Sequence, residues 1–246
     1  MTCTLIPGVS PAPLAEPTNR PTPATSSYAL ARQLAVQLMR NQKSIVPSGL
    51  DRASYEKLHG VTVAELKDLP AHAQRQLLIT LSGSFCLEWR EVDSRFATPE
   101  STFQELEKHM NSTDPYDAVL VSFRQANETY EFVATASMAR QDCPAFSNPY
   151  IDTKQGDGWL VNVLTSANHR QKGHAVHLIR EVASAAEIRK ARGKLPDFNG
   201  FHLYTEPENV SFYQKLGFEM VGRECISYET EETFRRETRT ANQLTE

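Results

Sequence analysis

The residues best suited to chemistry lie together in Arg170-Gln-Lys-Gly-His-Ala175, between an apolar run and the start of a long helical pattern. A helix that begins straight after a strand leaves its first amides without intrahelical partners. Those amides and the helix dipole together favour an anion. Gly173 lets the backbone approach closely, Ala175 keeps the first turn slim, and Arg170 and Lys172 add positive charge. The chemistry indicated is a grip on phosphate or pyrophosphate. The run lacks the GxxxxGK[ST] of a P-loop and the GxGxxG of a dinucleotide-binding turn, and many helices begin after a basic glycine turn.

His169, His174 and His177 invite a metal reading, because positions 174 and 177 share a helix face. No cysteine or carboxylate completes a ligand set, so no metal is expected and surface imidazoles flanking an anion site are the simpler account. Glu88, Glu91, Asp93, Glu100, Glu105 and Glu107 give an earlier helical region an acidic bias. Such a field attracts a cationic amine, although an ordinary solvated face has the same composition.

The elements that must position these residues follow from periodicity. Trp159 to Thr165 is the most apolar strand candidate and is predicted to be central. Gly173 to Ala191 carries Ala175, Leu178, Ile179, Val182, Ala186 and Ile188 as a buried stripe, with Gly193 as cap. Upstream, Val61 to Leu66 alternates like a half-buried strand. Ala73 to Trp89 repeats Leu77, Leu78, Leu81, Phe85 and Trp89 at helical spacing, and Phe103 to Met110 reads as a shorter helix. Ala118 to Phe123 and Tyr130 to Ala136 form a predicted hairpin, and Cys143 to Gly158 a loop. Phe201 to Thr205 is another strand, Glu208 to Leu216 a short helix, and Phe218 to Tyr228 a terminal strand or hairpin.

Six prolines fall within the first 27 residues, which supply little apolar area to offset chain entropy, so a disordered leader is expected there. Tyr28 to Met39 reads as an amphipathic helix stopped by Pro47 and Gly49. Its arginines and hydroxyl residues also suit an organelle transit peptide, the plainer alternative being a tail or docking helix. The resulting organisation is a leader at 1–57, one globular domain at 58–228 and a polar, charged tail at 229–246.

Composition narrows the class further. The 246 residues are 40% hydrophobic and 23% charged, as expected of a soluble globular chain. Aliphatic runs such as Leu77-Leu78-Ile79 stay far short of the roughly 20 apolar residues of a membrane helix. With 26 basic and 30 acidic side chains, the net charge of -4 offers no cation excess for nucleic acid. Four scattered cysteines form no CxxC pair, so a reducing, cytoplasmic setting is expected, with organelle import or secretion through the leader as alternatives.

Arg-x-x-Gly-x-Ala at 170–175, followed by Asn209-Val-Ser-Phe-Tyr-Gln-Lys-Leu-Gly-Phe218, resembles the GNAT superfamily of acyl-CoA-dependent N-acyltransferases. The looser similarity runs from about residue 58 to 228. The resemblance implies an α+β fold with a mixed, mostly antiparallel sheet flanked by helices. Its fourth and fifth strands, mapped to 159–165 and 201–205, splay apart to admit the pantetheine arm of CoA. It further implies that Arg170, Gln171, Lys172, Gly173, His174 and Ala175 hold the CoA pyrophosphate. The backbone of Val163, Leu164 and Thr165 would bind pantetheine amides, with an amide near Val163 polarising the thioester carbonyl. Tyr213 matches the tyrosine whose hydroxyl protonates the departing thiolate in this family. Asn209 is either a cofactor contact or a helix cap.

One departure stands out. Relatives that acetylate histones carry a glutamate base on the fourth strand, where this chain has Trp159 or a residue close to it. A water wire, Glu206, His202 or Asp157 would have to take the amine proton, with Glu206 the first choice. The implied reaction moves an acetyl or short acyl group from acetyl-CoA to a primary amine, in a small molecule or protein, by direct attack. No activated cysteine or serine stands in either motif. The alternative is a non-catalytic acyl-CoA-binding or scaffold protein. A homodimer through the terminal strand is also compatible with the pattern.

Overall fold

The computed structural model describes residues 33–41, 50–90, 94–140, 156–227 and 236–237. The expected Pro-rich leader at 1–27, the loop from Cys143 as far as 155, and the polar tail apart from Arg236–Glu237 lie outside the described residues. Eight strands form one sheet in the order β2-β3-β4-β5-β6-β1-β7-β8. They are β1 (Gln33–Asn41), β2 (Thr62–Glu65), β3 (Ala118–Ala126), β4 (Thr129–Ala139), β5 (Gly158–Thr165), β6 (Phe201–Thr205), β7 (Glu219–Ser227) and the two-residue β8 (Arg236–Glu237). Every pairing is antiparallel except β5 with β6. The helices are α1 (Arg52–His59), α2 (Ala71–Trp89), α3 (Pro99–Met110), α4 (His174–Ala191) and α5 (Val210–Lys215).

The main departure from expectation is at residues 28–39, where a helix was predicted and β1 is found from Gln33. Leu34, Val36 and Leu38 also satisfy a period of two. Antiparallel partners on both edges, β6 and β7, decide between the patterns. The sheet therefore recruits residues assigned above to the leader, and the splayed pair becomes the fifth and sixth strands in chain order. A further helix, α1, went unread in the sequence. Asp51 caps it by accepting the Ser54 amide, and Gly60 ends it at φ 60°. Pro99 proves to be an initiator of α3, held by a Thr98–Ser101 capping box. The β3–β4 turn is only Asn127-Glu128, with Asn127 at φ 57°, so the hairpin is longer and tighter than predicted.

Helices cover both faces of the sheet. On one, Leu178, Ile179, Val182 and Ala186 of α4 pack on Leu120, Ala136, Met138, Leu160 and Leu203. On the other, Leu77, Leu78, Leu81 and Phe85 of α2, with Leu106 of α3, pack on Val119, Val121, Phe132 and Leu164. α4 is also fixed at its carboxyl end. Arg189 pairs with both carboxylate oxygens of Glu65, at 2.9 and 3.0 Å, and donates to the carbonyls of Pro115 and Asp117. At the other end α1 lies across it. The Tyr55 hydroxyl is hydrogen-bonded to His174 Nδ1, Tyr55 stacks on His177 with centroids 3.6 Å apart, and Arg52 pairs with Glu181.

The entry to β5 is built from backbone. Gly156 has φ 83°, and a Cβ there would lie 1.7 Å from the Asp197 carbonyl oxygen, so only glycine fits. Its carbonyl accepts from the Tyr116 hydroxyl and the Asn199 amide. Next to it, buried Asp157 lies 2.7 Å from Arg40 Nη2 and 3.5 Å from His202 Nδ1. This triad ties β1, β5 and β6 together where β5 begins.

Arg189→Ala leaves the Glu65 carboxylate with Lys67 alone and takes the donor from two carbonyls, and is expected to cost about 2 kcal/mol, read as a lower urea midpoint. Burial holds the imidazole of His174 down at about 4 and also lowers that of His202. Both stay neutral in the fold but protonate on unfolding below their ordinary value of about 6.5. The unfolded chain then binds more protons, so stability is complete above about pH 6.5 and declines towards pH 4. The urea midpoint should follow that decline, and His174→Asn should flatten it.

Candidate functional site

β5 and β6 pair only at Gly158 with Phe201 and at Trp159 with His202. Beyond that point their ladder ends, and Leu160 to Thr165 run beside a gap. Parallel strands separating in mid-sheet leave a row of amides and carbonyls without strand partners. The gap is aimed at the end of β5 where Arg170–Ala175 begins.

A second irregularity lies within β5. The β4–β5 register passes from Thr135 opposite Leu164 to Ser137 opposite Val161, so Asn162 and Val163 together face Ala136. This is a bulge, with Asn162 at φ 55°. The extra residue reverses the alternation. Trp159 and Val161 precede it and Leu164 follows it, yet all three point to the α2–α3 face, while Leu160 and Val163 pack towards α4. Neither neighbouring strand pairs with Val163. Asn162 was missed in the sequence, although an asparagine interrupting an apolar strand is, after glycine, the residue that most readily takes a positive φ.

The loop from Arg170 to Ala175 turns at two positions. Gln171 and Gly173 both have positive φ, 64° and 81°, and Gly173 precedes the 18-residue α4 with no side chain capping it. Backbone turned in this way gathers successive amides into a concave nest, and the uncapped helix start adds its own. Arg170, Gln171, Lys172 and Gly173 are exposed at its rim. Arg170 pairs with Glu88 at the end of α2 and donates to the Thr165 carbonyl at 3.2 Å, and Lys172 donates to the Asn168 carbonyl at 3.0 Å. Glu88, read in the sequence only as part of an acidic bias, is thus the ion-pair partner of Arg170.

His174 contributes only backbone to this rim. Its side chain is buried against Tyr55, and the expectation of surface imidazoles fails for all three histidines. His169 binds Glu131 at 2.9 Å, and His177 lies beneath Tyr55. They brace the loop from behind.

Tyr213, on α5, is 9% exposed, with its ring edge-on to Phe212 and Phe218. Burial raises its hydroxyl well above the ordinary phenol range, so it keeps its proton at neutral pH. Asn209 is exposed and stands at the N-cap of α5, where its side chain makes no cap hydrogen bond. Glu206 ends β6, half-buried; burial raises its carboxyl first, and Glu208 and Glu88 raise it further. Of the other base candidates, His202 and Asp157 are engaged in the triad with Arg40.

The pairing gap, the bulge and the nest together form an opening for an extended ligand with an anionic end. The family model for the acetyltransferase (GNAT) family matches residues 84–218, more than half of the chain. No curated protein matches it. Solved structures similar to it include a GNAT-family acetyltransferase from Novosphingobium aromaticivorans, 17% identical over 78% of this chain and 62% of that one, with a TM-score of 0.42. Glucosamine-6-phosphate N-acetyltransferase from Arabidopsis thaliana is 15% identical over 71% and 99% of the two chains, with a TM-score of 0.43. A Clostridium acetobutylicum acetyltransferase solved with acetyl-CoA is 16% identical over 71% and 93%, with a TM-score of 0.41. On the match across residues 84–218, which takes in the nest, the bulge and the Tyr213 helix, the chain belongs to the GNAT family of acetyltransferases.

Proposed function

We propose that the protein transfers an acetyl or short acyl group from acyl-CoA to a primary amine within a ternary complex, without a covalent enzyme intermediate. The observation that carries this reading is the end of the β5–β6 ladder after Trp159 and His202, directly before an uncapped helix start with two positive-φ residues. The amides of Gln171 to Ala175, with Arg170 and Lys172, hold the pyrophosphate. The freed backbone of Val163 to Thr165 takes the place of a strand partner for the pantetheine amides, and Asn209 lies beyond the gap as a further contact. An unpaired amide at the bulge meets the negative charge that develops on the thioester oxygen.

Tyr213 acts as the general acid. A phenol kept protonated by burial has a proton to give to a departing thiolate, whose charge is poorly tolerated in the same dry surroundings. Glu88, Glu206 and Glu208 set a negative potential near the gap, which draws in a cationic amine and opposes a second anion.

Purified protein given acetyl-CoA and a panel of primary amines should release free thiol with at least one of them. Binding of CoA without release for any amine would favour a non-catalytic acyl-CoA-binding protein, and absence of CoA binding would defeat both readings. Tyr213→Phe should lower kcat about 100-fold while acetyl-CoA affinity in calorimetry stays within twofold. Equal losses in both would assign the tyrosine to packing.

A further inference from the structure

The sequence offers Glu206, beyond the end of β6, as the first choice to take the amine's proton, and β5 itself carries no carboxylate to receive it. On the α2–α3 face a cavity of about 500 Å³ opens directly over the bulge, lined by Val161 and Asn162 below and by Glu105, Lys108, His109 and Asp117 along its side. His109 occupies the last turn of α3. Its Nε2 donates to the Met138 carbonyl at 3.0 Å and stands 3.8 Å from Asp117 Oδ1. Met138 is paired with Leu160 on β5, one residue from Val161 and two from the bulge. The imidazole is thus pinned to the ladder beside the strand whose backbone meets the thioester.

This placement also fixes the tautomer. A carbonyl can only accept, so Nε2 carries the hydrogen and the lone pair of a neutral ring is at Nδ1. Nδ1 has no hydrogen-bond partner among the described residues. Asp117 stands on the Nε2 side, where a carboxylate steadies a ring that becomes positive. Its Oδ1 also receives the Arg140 main-chain amide. The other charges facing the cavity are Glu105 and Lys108 from α3 and Arg95 from the turn before it, while the side chain of Arg140 is paired with Asp114.

We propose that His109 is the proton acceptor for the amine substrate, with Asp117 as its positioning partner and the cavity as the chamber where the amine waits. His109 Nδ1 takes one proton from the substrate ammonium. The freed amine attacks the thioester carbon, the N–C bond forms, and the C–S bond breaks. The CoA thiolate takes the Tyr213 proton, and the second amine proton returns to the tyrosinate directly or through water. The imidazolium then releases its proton to solvent, so one acetyl-CoA and one ammonium give one amide, one thiol and one proton. The assignment rests on the acyl-transfer reading and gives it the base that the strand lacks.

The test compares His109→Gln, whose side-chain amide can still donate to Met138, with Asp117→Asn and Glu206→Gln, using the best amine of the panel. In His109→Gln the rate at neutral pH should fall about 100-fold or more, and the acid limb of kcat/KM should give way to a rate that climbs steadily with pH. Acetyl-CoA affinity should not change. Asp117→Asn should lower kcat less, with KM for the amine nearly unchanged. An unaltered pH profile in His109→Gln, a higher amine KM with kcat intact, or loss of the acid limb in Glu206→Gln alone would overturn the assignment and leave the acyl-transfer reading standing. No thiol release by the wild-type protein would overturn both.

Discussion

Backbone amides and carbonyls must be paired or solvated, and among the described residues this sheet leaves a row of them without strand partners where β5 and β6 part. β5 and β6 begin as hydrogen-bonded neighbours and then separate, leaving Leu160 to Thr165 of the most apolar strand without a partner on that side. A buried unpaired backbone group costs about 1–3 kcal/mol, so an open seam in mid-sheet persists only where the surroundings hold both strands independently. They do so here. β4 holds β5 from one side, β1 holds β6 from the other, and the Arg40–Asp157–His202 triad closes the base. Anything that enters the seam gains the pairing that the strands forgo.

The bulge turns that seam into a site. Inserting one residue at Asn162–Val163 rotates the strand so that the side chains before and after it share a face. It also withdraws Val163 from the β4 ladder as well as from β6. The α2–α3 face thereby receives a cavity whose floor is the bulge, while the opposite face keeps α4 packed tightly enough to hold its amino end against the seam. Seam and cavity floor are consequences of two departures from regular β-structure within eight residues. Behind the loop, Tyr55 and three buried histidines replace the solvated rim that the sequence suggested, giving the exposed nest a rigid backing.

Much of the fold was legible because the relevant patterns are local. The bounds of α4, β5 and β6 fall within one or two residues of those predicted, since periodicity and bounding glycines act over a few positions, although Ile188, read as part of the buried stripe, is 48% exposed. β1 was misread because Leu30, Leu34 and Leu38 satisfy a helical spacing while Leu34, Val36 and Leu38 satisfy a strand spacing. Only the two open edges that accept it decide the matter. The bulge at Asn162 was overlooked because the apolar residues around it read as an unbroken strand, although asparagine readily takes a positive φ.

Residue order by itself determined the anion loop, its arginine and lysine, the glycine that must turn there, the tyrosine helix and the family these imply, because each depends on neighbours a few positions away. Tertiary structure decided what faces what. It alone sent His174 inward, paired Arg170 with Glu88, joined Asp157 to His202, and brought His109 of α3 to a carbonyl beside β5 across 29 residues of chain. Contacts of that separation are set by which faces of helices and strands pack together, and no spacing along the chain encodes them.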